Sequence, residues 1–222
     1  MTGTYCLNLN SNLSPEQVAA LEDQALISAL QAADEQAYEK LITRFQNPVY
    51  NLAYRLLNDQ ADASDVVQEV FLKVFRNVGN FRGTSSLRTW IYRIAVNESH
   101  NKRRWIFRHR RGETGLEETF DESESRERAL TDSGETPFDF TMNREAQILL
   151  EEGLENISPA FRSALVLREL EDLGYEEIAE ILDVSIGTVK SRILRGRQAL
   201  RQYLSQRLSP QPTMQLLPRP VK

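Results

Sequence analysis

The sequence predicts an all-α protein made of two small helical domains joined by a flexible acidic linker. Apolar residues recur at a spacing of 3.6 residues over long windows, and not at the two-residue spacing of strands. Only 8 prolines and 10 glycines interrupt the 222 residues. Acidic side chains concentrate in one segment between two helical stretches, which separates them into two modules.

The net charge of −5 is distributed unevenly along the chain. Residues 1–112 contain 14 Lys/Arg and 11 Asp/Glu, residues 113–143 contain 2 and 10, and residues 144–222 contain 11 of each. The middle segment also contains Gly115, Gly134, Pro137 and several Ser and Thr, a composition typical of a linker without a fixed fold. The predicted order is a flexible N-terminus (1–21), a first helical domain (22–112), the linker (113–143), a second helical domain (144–205) and a disordered tail (206–222).

The first domain begins with two amphipathic helices. Apolar spacing marks a short helix at Leu26, Ile27 and Leu30. A second apolar pattern runs from Tyr38 to Leu57, and Pro48 within it predicts a kink or a restart of the helix.

The third predicted helix, capped by Asp62 or Ser64, has two distinct faces. The face expected to be buried consists of Val66, Val67, Val70, Phe71, Val74, Phe75 and Val78. The opposite face consists of Asp65, Gln68, Glu69, Leu72 and Lys73. Leu72 is therefore an apolar residue on the polar side of its own helix.

The fourth predicted helix follows a loop at 79–85, starts near Ser85 or Ser86, and leads into a basic run. Six of the ten residues 102–111 are Lys or Arg, and aromatic residues interleave with them. Cations beside stacking surfaces are typical of proteins that bind single-stranded or melted DNA. Three alternatives remain open: Trp90 as a core residue, Phe81 as a loop plug, and the cations as a solvated helix end favoured by the helix dipole.

The second domain contains a helix-turn-helix pattern. Ile178, Ala179 and Leu182 form the apolar stripe of one helix, and Ser185 is a good N-cap for the next. The stretch 190–201 carries five basic residues and no acidic one. A short helix pair with a cationic second helix is the form that enters the major groove of DNA.

The second helix of this pair can be divided into faces at about 100° per residue. Its predicted core face consists of Val189, Ile193, Leu200, Tyr203 and Leu204. Its opposite face consists of Thr188, Ser191, Leu194, Arg195 and Gln198, flanked by Lys190, Arg192, Arg197 and Arg201. Small polar side chains at the centre can reach base edges while the flanking cations bind phosphates. A merely solvated face would mix charges of both signs, so DNA binding is favoured.

Several classes of protein are excluded by composition. The single Cys6 excludes a disulfide framework and a cysteine-based zinc site, and it is compatible with a reducing cytoplasm. No apolar run reaches the 18 or so residues of a membrane span, and no signal peptide is recognisable, so we expect a cytoplasmic protein without membrane insertion. Neither histidine has a partner at metal-ligand spacing. We therefore expect no metal, no cofactor, no catalytic residue and no enzyme activity.

Six sequence motifs carry a family resemblance. In the first domain they are residues 65–73 (DVVQEVFLK), 81–83 (FRG) and 89–97 (TWIYRIAVN), which resemble the promoter-melting domain of bacterial RNA polymerase sigma factors. In the second domain they are residues 167–170 (LREL), 175–179 (YEEIA) and 187–192 (GTVKSR), which resemble the helix-turn-helix of the same proteins. The compact layout is similar to that of the extracytoplasmic-function (ECF) group. The motifs, in this order and at this spacing, cover roughly 22–112 and 144–205.

The resemblance implies a set of partners. Core RNA polymerase would be bound through its largest-subunit clamp and its flap, and the clamp would contact Asp65, Gln68, Glu69, Leu72 and Lys73. The acidic linker would pass through the channel by which RNA leaves. A cognate anti-sigma factor is also implied.

The resemblance also implies two DNA-binding sites. The promoter −10 element, as single strand, would contact Asn80, Phe81, Arg82, Gly83, Thr84, Ser85, Asn97, His100, Asn101 and Arg104. The −35 element, as duplex, would contact Arg168, Thr188, Lys190, Ser191, Arg192, Leu194, Arg195, Arg197 and Arg201. The function implied is to direct polymerase to promoters and to nucleate melting. The alternative is a stand-alone helix-turn-helix regulator that binds duplex DNA as a dimer.

Overall fold

The computed structural model describes the backbone of residues 15–114 and 137–208, and the side chains of 20–109 and 144–208. Within these ranges the chain forms eight α-helices, one 3-10 turn and no strand, which confirms the all-α prediction. The helices are α1 (Pro15–Gln31), α2 (Glu35–Leu57), α3 (Gln60–Asn77), α4 (Leu87–Thr114), α5 (Pro137–Glu155), α6 (Pro159–Glu169), α7 (Tyr175–Leu182) and α8 (Ile186–Leu208). They divide into two compact units, one centred on α1–α4 and the other on α5–α8.

The first unit is held together by the apolar faces of α2, α3 and α4. The fully or almost fully buried side chains of this core include Leu41, Val49, Leu52, Val66, Val70, Val74, Leu87, Ile91 and Ala95. Complete burial of one large aliphatic side chain contributes about 1.5–3 kcal/mol. The core face predicted for α3 is thus the buried one, and Gln68, Glu69 and Leu72 on its opposite face are exposed.

The connection between α2 and α3 differs from the prediction. Asn58 adopts a left-handed conformation (φ 57°) that ends α2, and Asp59 is the N-cap of α3. The Asp59 carboxylate accepts a hydrogen bond from the Asp62 backbone N at 2.9 Å. Asp62 and Ser64 therefore lie inside the helix and are not its caps. Of the two outcomes predicted at Pro48, the restart is wrong, because α2 continues through it, and the kink stays a prediction.

Helix ends and predicted domain boundaries do not coincide. Helix α1 begins at Pro15, α4 continues to Thr114, and α5 begins at Pro137, so helices extend into both the predicted N-terminal segment and the predicted linker. Cys6, residues 115–136 and residues 209–222 lie outside the described residues. The division into 1–21, 22–112, 113–143, 144–205 and 206–222 stays a prediction.

The second unit is built around the contact of α6 with α8. A β-carbon placed at Gly196 of α8 would lie 3.2 Å from the backbone O of Phe161 in α6, so glycine permits a close approach of the two helices. Arg162, which is 1% exposed, donates from its guanidinium to the backbone O of Glu155 at the end of α5. These contacts fix α6 against α8 on one side and against the end of α5 on the other.

The helix-turn-helix forms as predicted. Ser185 Oγ accepts a hydrogen bond from the Thr188 backbone N at 3.2 Å, which caps α8. Ile178 and Ile181 of α7 and Val189 and Ile193 of α8 are buried. The turn between α7 and α8 therefore points the remaining faces of α8 outward.

Candidate nucleic-acid interface

The loop between α3 and α4 is anchored at both ends. After α3 the chain forms a 3-10 turn (Val78–Asn80), and Gln31 Nε2 of α1 donates to the backbone O atoms of Val78 at 3.2 Å and Phe81 at 3.1 Å. At the other end Ser86 Oγ accepts from the Thr89 backbone N at 3.0 Å and caps α4. Gly83 has a φ of +69°, a left-handed conformation that favours glycine. The predicted start of α4 near Ser85 or Ser86 is confirmed.

A pocket of about 310 Å³ opens between this loop, α3 and α4. Its lining consists of Lys73, Asn77, Asn80, Phe81, Trp90, Ile94, Asn97 and Glu98. The ring centroids of Phe81 and Trp90 are 4.9 Å apart at an interplanar angle of 41°, so the two rings form one aromatic wall. Amides and charged groups supply the remaining polar lining.

Three residues predicted for −10 binding, Asn80, Phe81 and Asn97, come together in this pocket. Trp90 is only partly buried and lines it, so the interpretation of Trp90 as a core residue is wrong, whereas its neighbour Ile91 is fully buried. Phe81 lies in the pocket wall, and its interpretation as a loop plug stays an open alternative. The aromatic wall is suited to stacking a base, and the side-chain amides of Asn80 and Asn97 can form hydrogen bonds with that base.

The other residues predicted for −10 binding lie outside the pocket. Arg82, Gly83 and Thr84 are exposed and Ser85 is partly exposed on the loop, and His100 is partly buried on α4. Exposed Asn101 donates to Glu98 Oε1 at 3.2 Å and accepts from the Arg104 guanidinium. These groups lie on the same loop and helix as the pocket residues.

Four pocket residues are not among those predicted for −10 binding: Asn77, Trp90, Ile94 and Glu98. Lys73, a fifth, is predicted for the clamp surface instead. Asn77 precedes the loop directly and Glu98 follows Asn97, so their proximity to predicted residues is a usable signal. Trp90 can line the pocket while its neighbour Ile91 is buried, because helical spacing turns adjacent residues by about 100°.

The outer face of α3 has two parts. Gln68, Glu69 and Leu72 project into solvent, and Leu72 is 44% exposed although it is apolar. Asp65 and Lys73, by contrast, form ion pairs with α4.

These ion pairs join α3 to α4 at two places. Lys102 Nζ lies 2.8 Å from Asp65 Oδ2 and 3.3 Å from Asp62 Oδ1, and Lys73 Nζ lies 2.6 Å from Glu98 Oε1. The hydrogen bond to Asp65 raises the pKa of Lys102 above its usual 10.5, although partial burial opposes this. Asp65 and Lys73 therefore connect the polar face of α3 with the helix that lines the pocket.

The outward side of α8 carries most of the residues predicted for the −35 element. Lys190, Ser191, Leu194, Arg195 and Arg201 are exposed, and Leu194 is 57% exposed. Thr188 and Arg192 are partly exposed. The Ser191 hydroxyl donates to the backbone O of Thr188 at 2.9 Å, which leaves the lone pairs of its oxygen directed outward.

Three predicted cations of this surface have partners within the second unit, and one of them, Lys190, has its Nζ 5.5 Å from the ring centroid of Tyr175. Arg197 Nε donates to Glu169 Oε1 of α6 at 3.0 Å. Arg168 donates to the backbone O of Leu173 at 2.8 Å, and its guanidinium lies 5.1 Å from the ring centroid of Tyr175. Arg195 and Arg201 have no such contact among the described residues.

In the described part of the chain no group of three or more His, Cys, Asp or Glu side chains is arranged to hold a metal ion. In the same residues no helix has the length and apolar character needed to cross a membrane.

Comparison with known proteins places both units in one family. The Sigma-70 region 2 family matches residues 41–110, and the Sigma-70 region 4 family matches residues 147–200. The RNA polymerase sigma-H factor of Pseudomonas aeruginosa is 36% identical over 185 residues, which cover 82% of this chain and 94% of the relative. The ECF RNA polymerase sigma-E factor of Haemophilus influenzae is 38% identical over 184 residues, covering 83% and 96%. The chain belongs to the ECF group of sigma factors.

The fold of this sigma factor agrees with that family. The sigma factor RpoE of Bartonella quintana, solved in complex with the anti-sigma factor NepR, superimposes with a TM-score of 0.59 at 24% identity over 76% of this chain and 96% of the other. As a sigma factor, the chain binds core RNA polymerase and promoter DNA and directs transcription initiation. A stand-alone dimeric regulator is not favoured.

Proposed function

We propose that the pocket of region 2 receives one unstacked base of the −10 non-template strand. The observation that supports this most directly is the wall formed by Phe81 and Trp90, with Asn80 and Asn97 beside it. Opening a base-pair step costs on the order of 1–2 kcal/mol of stacking. A base stacked on an aromatic side chain recovers about 1–3 kcal/mol, so one occupied pocket offsets the opening of one step.

The polymerase clamp is assigned to the outer face of α3. Leu72, with Gln68 and Glu69 beside it, provides an apolar centre with a polar surround, the usual composition of a protein interface. Asp65 and Lys73 lie at the α4 side of this face. Region 4 would contact the flap of polymerase.

The −35 element is assigned to α8. Ser191, Leu194 and Arg195 lie on its outward face, where side chains can reach base edges, and Lys190 and Arg201 flank them as phosphate contacts. Arg197 and Arg168, which bind Glu169 and Leu173 within the unit, would support the helix or exchange their partners for phosphates.

Three further properties belong to this proposal. The protein acts by binding and not as an enzyme, it works in the cytoplasm where polymerase transcribes, and an anti-sigma factor controls it. The last assignment is supported by the Bartonella sigma factor, which was solved with such a partner. The linker 113–143 is assigned to the RNA exit channel.

Permanganate footprinting of promoters tests the pocket. Asn97→Ala and Phe81→Ala should retain polymerase binding and recruitment to duplex promoters but fail to form open complexes. A template already unpaired across the −10 region should partly restore transcription, since its unstacking cost has been removed beforehand. Asn51→Ala, an exposed asparagine on α2, is the matched control and should behave like the wild type.

Equal permanganate reactivity of the pocket variants and the wild type on the intact promoter would contradict the assignment. Loss of polymerase binding by either variant would instead assign these residues to the stability of region 2.

A further inference from the structure

Tyr175, the first residue of α7, lies beside two of the cations assigned to the −35 element. The central guanidinium carbon of Arg168 is 5.1 Å from the centroid of the Tyr175 ring, and Lys190 Nζ is 5.5 Å from the same centroid. Both distances are within the roughly 6 Å over which a cation is attracted to the face of an aromatic ring. Arg168 belongs to α6 and Lys190 to α8, so one ring of α7 connects cations from two other helices.

The turn between α6 and α7 holds Tyr175 in a defined position. Arg168 donates from its guanidinium to the backbone O of Leu173 at 2.8 Å, and the Leu173 side chain is buried. The Gly174 backbone N donates to Glu177 Oε2 at 2.9 Å. These contacts fix the backbone directly before Tyr175 and the first turn of α7 directly after it.

An aromatic ring holds a cation differently from a carboxylate. Arg197, on the same helix as Lys190, donates to the Glu169 carboxylate at 3.0 Å, so a phosphate that binds Arg197 has to compete with an anion already in place. The ring of Tyr175 is neutral and attracts cations through its quadrupole. Lys190 and Arg168 therefore keep their full positive charge while the ring restricts where they lie.

Both cations also keep donors for a phosphate. A lysine ammonium has three N–H donors and an arginine guanidinium has five, and the bond from Arg168 Nη1 to Leu173 uses one of them. A long side chain that is ordered before binding does not lose its rotamer freedom on binding, which improves affinity by a factor of about two to ten. Tyr175 can supply this advantage for two side chains at once.

We propose that the ring of Tyr175 holds Lys190 and Arg168 in the positions from which they bind phosphates of the −35 duplex. Tyr175 is thus a positioning residue of region 4 that acts through two cations. The inference rests on the proposed function, since it takes Lys190 and Arg168 as DNA contacts.

The test compares holoenzymes assembled from core polymerase and the full-length chain with Tyr175, Tyr175→Phe or Tyr175→Leu. Affinity for a duplex promoter is measured by titration, and each chain is checked by thermal unfolding. Tyr175→Leu removes the ring and should weaken promoter binding about fivefold, the effect of one or two cation–π contacts at an exposed site. Tyr175→Phe keeps the ring and should bind like the wild type. Tyr50→Leu, at a partly buried tyrosine on α2, is the matched control and should also bind like the wild type.

A double-mutant cycle separates positioning from a purely structural role. Lys190→Met is combined with Tyr175→Leu, and the loss caused by Tyr175→Leu is measured with and without Lys190. This loss should fall to about twofold when Lys190 is absent, because only Arg168 then remains to be positioned. Equal losses in the two backgrounds would overturn the inference, and so would a Tyr175→Phe chain that binds as weakly as Tyr175→Leu.

A second measurement decides the question even if Tyr175→Leu fails to fold. Phenylalanine analogues with increasing numbers of fluorine atoms are incorporated at position 175. They keep the shape of the ring closely, but fluorine withdraws electron density from the face that attracts cations. Promoter affinity should fall stepwise along the series, and a constant affinity would overturn the inference.

Failure of this inference and failure of the proposed function are distinguishable. If Lys190→Met and Arg168→Met weaken promoter binding but Tyr175→Leu does not, the cations contact DNA and the inference about Tyr175 alone is wrong. If neither cation variant changes promoter binding, the assignment of Lys190 and Arg168 to the −35 element is wrong, and the inference fails with it.

Discussion

Replacement of Leu72 by Glu offers the sharpest test of the polymerase-binding surface. Leu72 lies on the outer face of α3, with 44% of its surface in water. Glu and Leu have similar helix propensities, and the site is not in the core, so the variant should stay folded. Its affinity for core polymerase should nevertheless fall.

The magnitude follows from the exposed fraction. Complete burial of a leucine contributes about 1.5–3 kcal/mol, so burial of the remaining 44% against a partner contributes about 0.7–1.3 kcal/mol. Loss of this term alone, as in Leu72→Ala, weakens binding about three- to ninefold at most. Leu72→Glu also transfers a carboxylate into the interface, which takes the loss beyond tenfold, or about 1.4 kcal/mol.

The assay is a titration of labelled full-length sigma factor with core polymerase, accompanied by thermal unfolding of each variant. Leu21→Glu is the matched control, because Leu21 is also an exposed leucine (56% against 44% for Leu72) and lies on a different helix, α1. Unchanged polymerase affinity of Leu72→Glu would refute the assignment of this face. Extensive unfolding of Leu72→Glu would show that Leu72 supports the core. An equal loss of polymerase affinity in Leu21→Glu would show that the effect is not specific to the α3 face.

Three further predictions concern α8 and α4. Arg195→Ala should relax discrimination at particular −35 positions, whereas Arg201→Ala should weaken all promoters alike and lower the salt dependence of binding; identical profiles in a promoter-variant panel would contradict this geometry. Gly196→Val should lower the free energy of unfolding by about 1–3 kcal/mol in urea titrations, because its β-carbon would press on the backbone of α6. Because the pKa of Lys102 is raised in the folded state, its ion pairs stabilise the fold fully below the unfolded pKa of 10.5 and lose this effect as pH rises through the folded value. The difference in unfolding free energy between wild type and Lys102→Met should therefore be constant near neutral pH and shrink in strongly alkaline buffer, and a constant difference at all pH values would exclude the ion pairs as its source.

Local signals predicted much of this molecule. Ser185 caps α8 because a short polar residue directly precedes an apolar helical pattern, and that arrangement is visible within a few residues of sequence. The N-cap of α3 was harder to predict, because Asp59, Asp62 and Ser64 are all short polar residues that can cap a helix. The choice depends on where α2 ends, and the left-handed Asn58 that ends it carries no unambiguous sequence signal.

Contacts between residues far apart in sequence were beyond the reach of pattern analysis. Asp65 and Lys102 are 37 positions apart, and only the packing of α3 against α4 brings them to 2.8 Å. The pairing of Glu98 with Lys73 depends on the same packing. Spacing along one helix can assign a residue to a face, but it does not determine which face of another helix it meets.

The two hydrogen bonds from Gln31 to the turn before the pocket have a consequence for genetics. Gln31 lies on α1 and is not itself a predicted DNA-binding residue, yet it holds the backbone at Val78 and Phe81 from 47 and 50 positions away. A screen for mutants with altered promoter choice would therefore recover changes at Gln31 alongside changes in the loop itself. Substitutions that stiffen the loop should suppress such alleles, whereas substitutions in α8 should not. The positions of the suppressors would then identify the residues that hold the pocket in place, without a structure of the DNA complex.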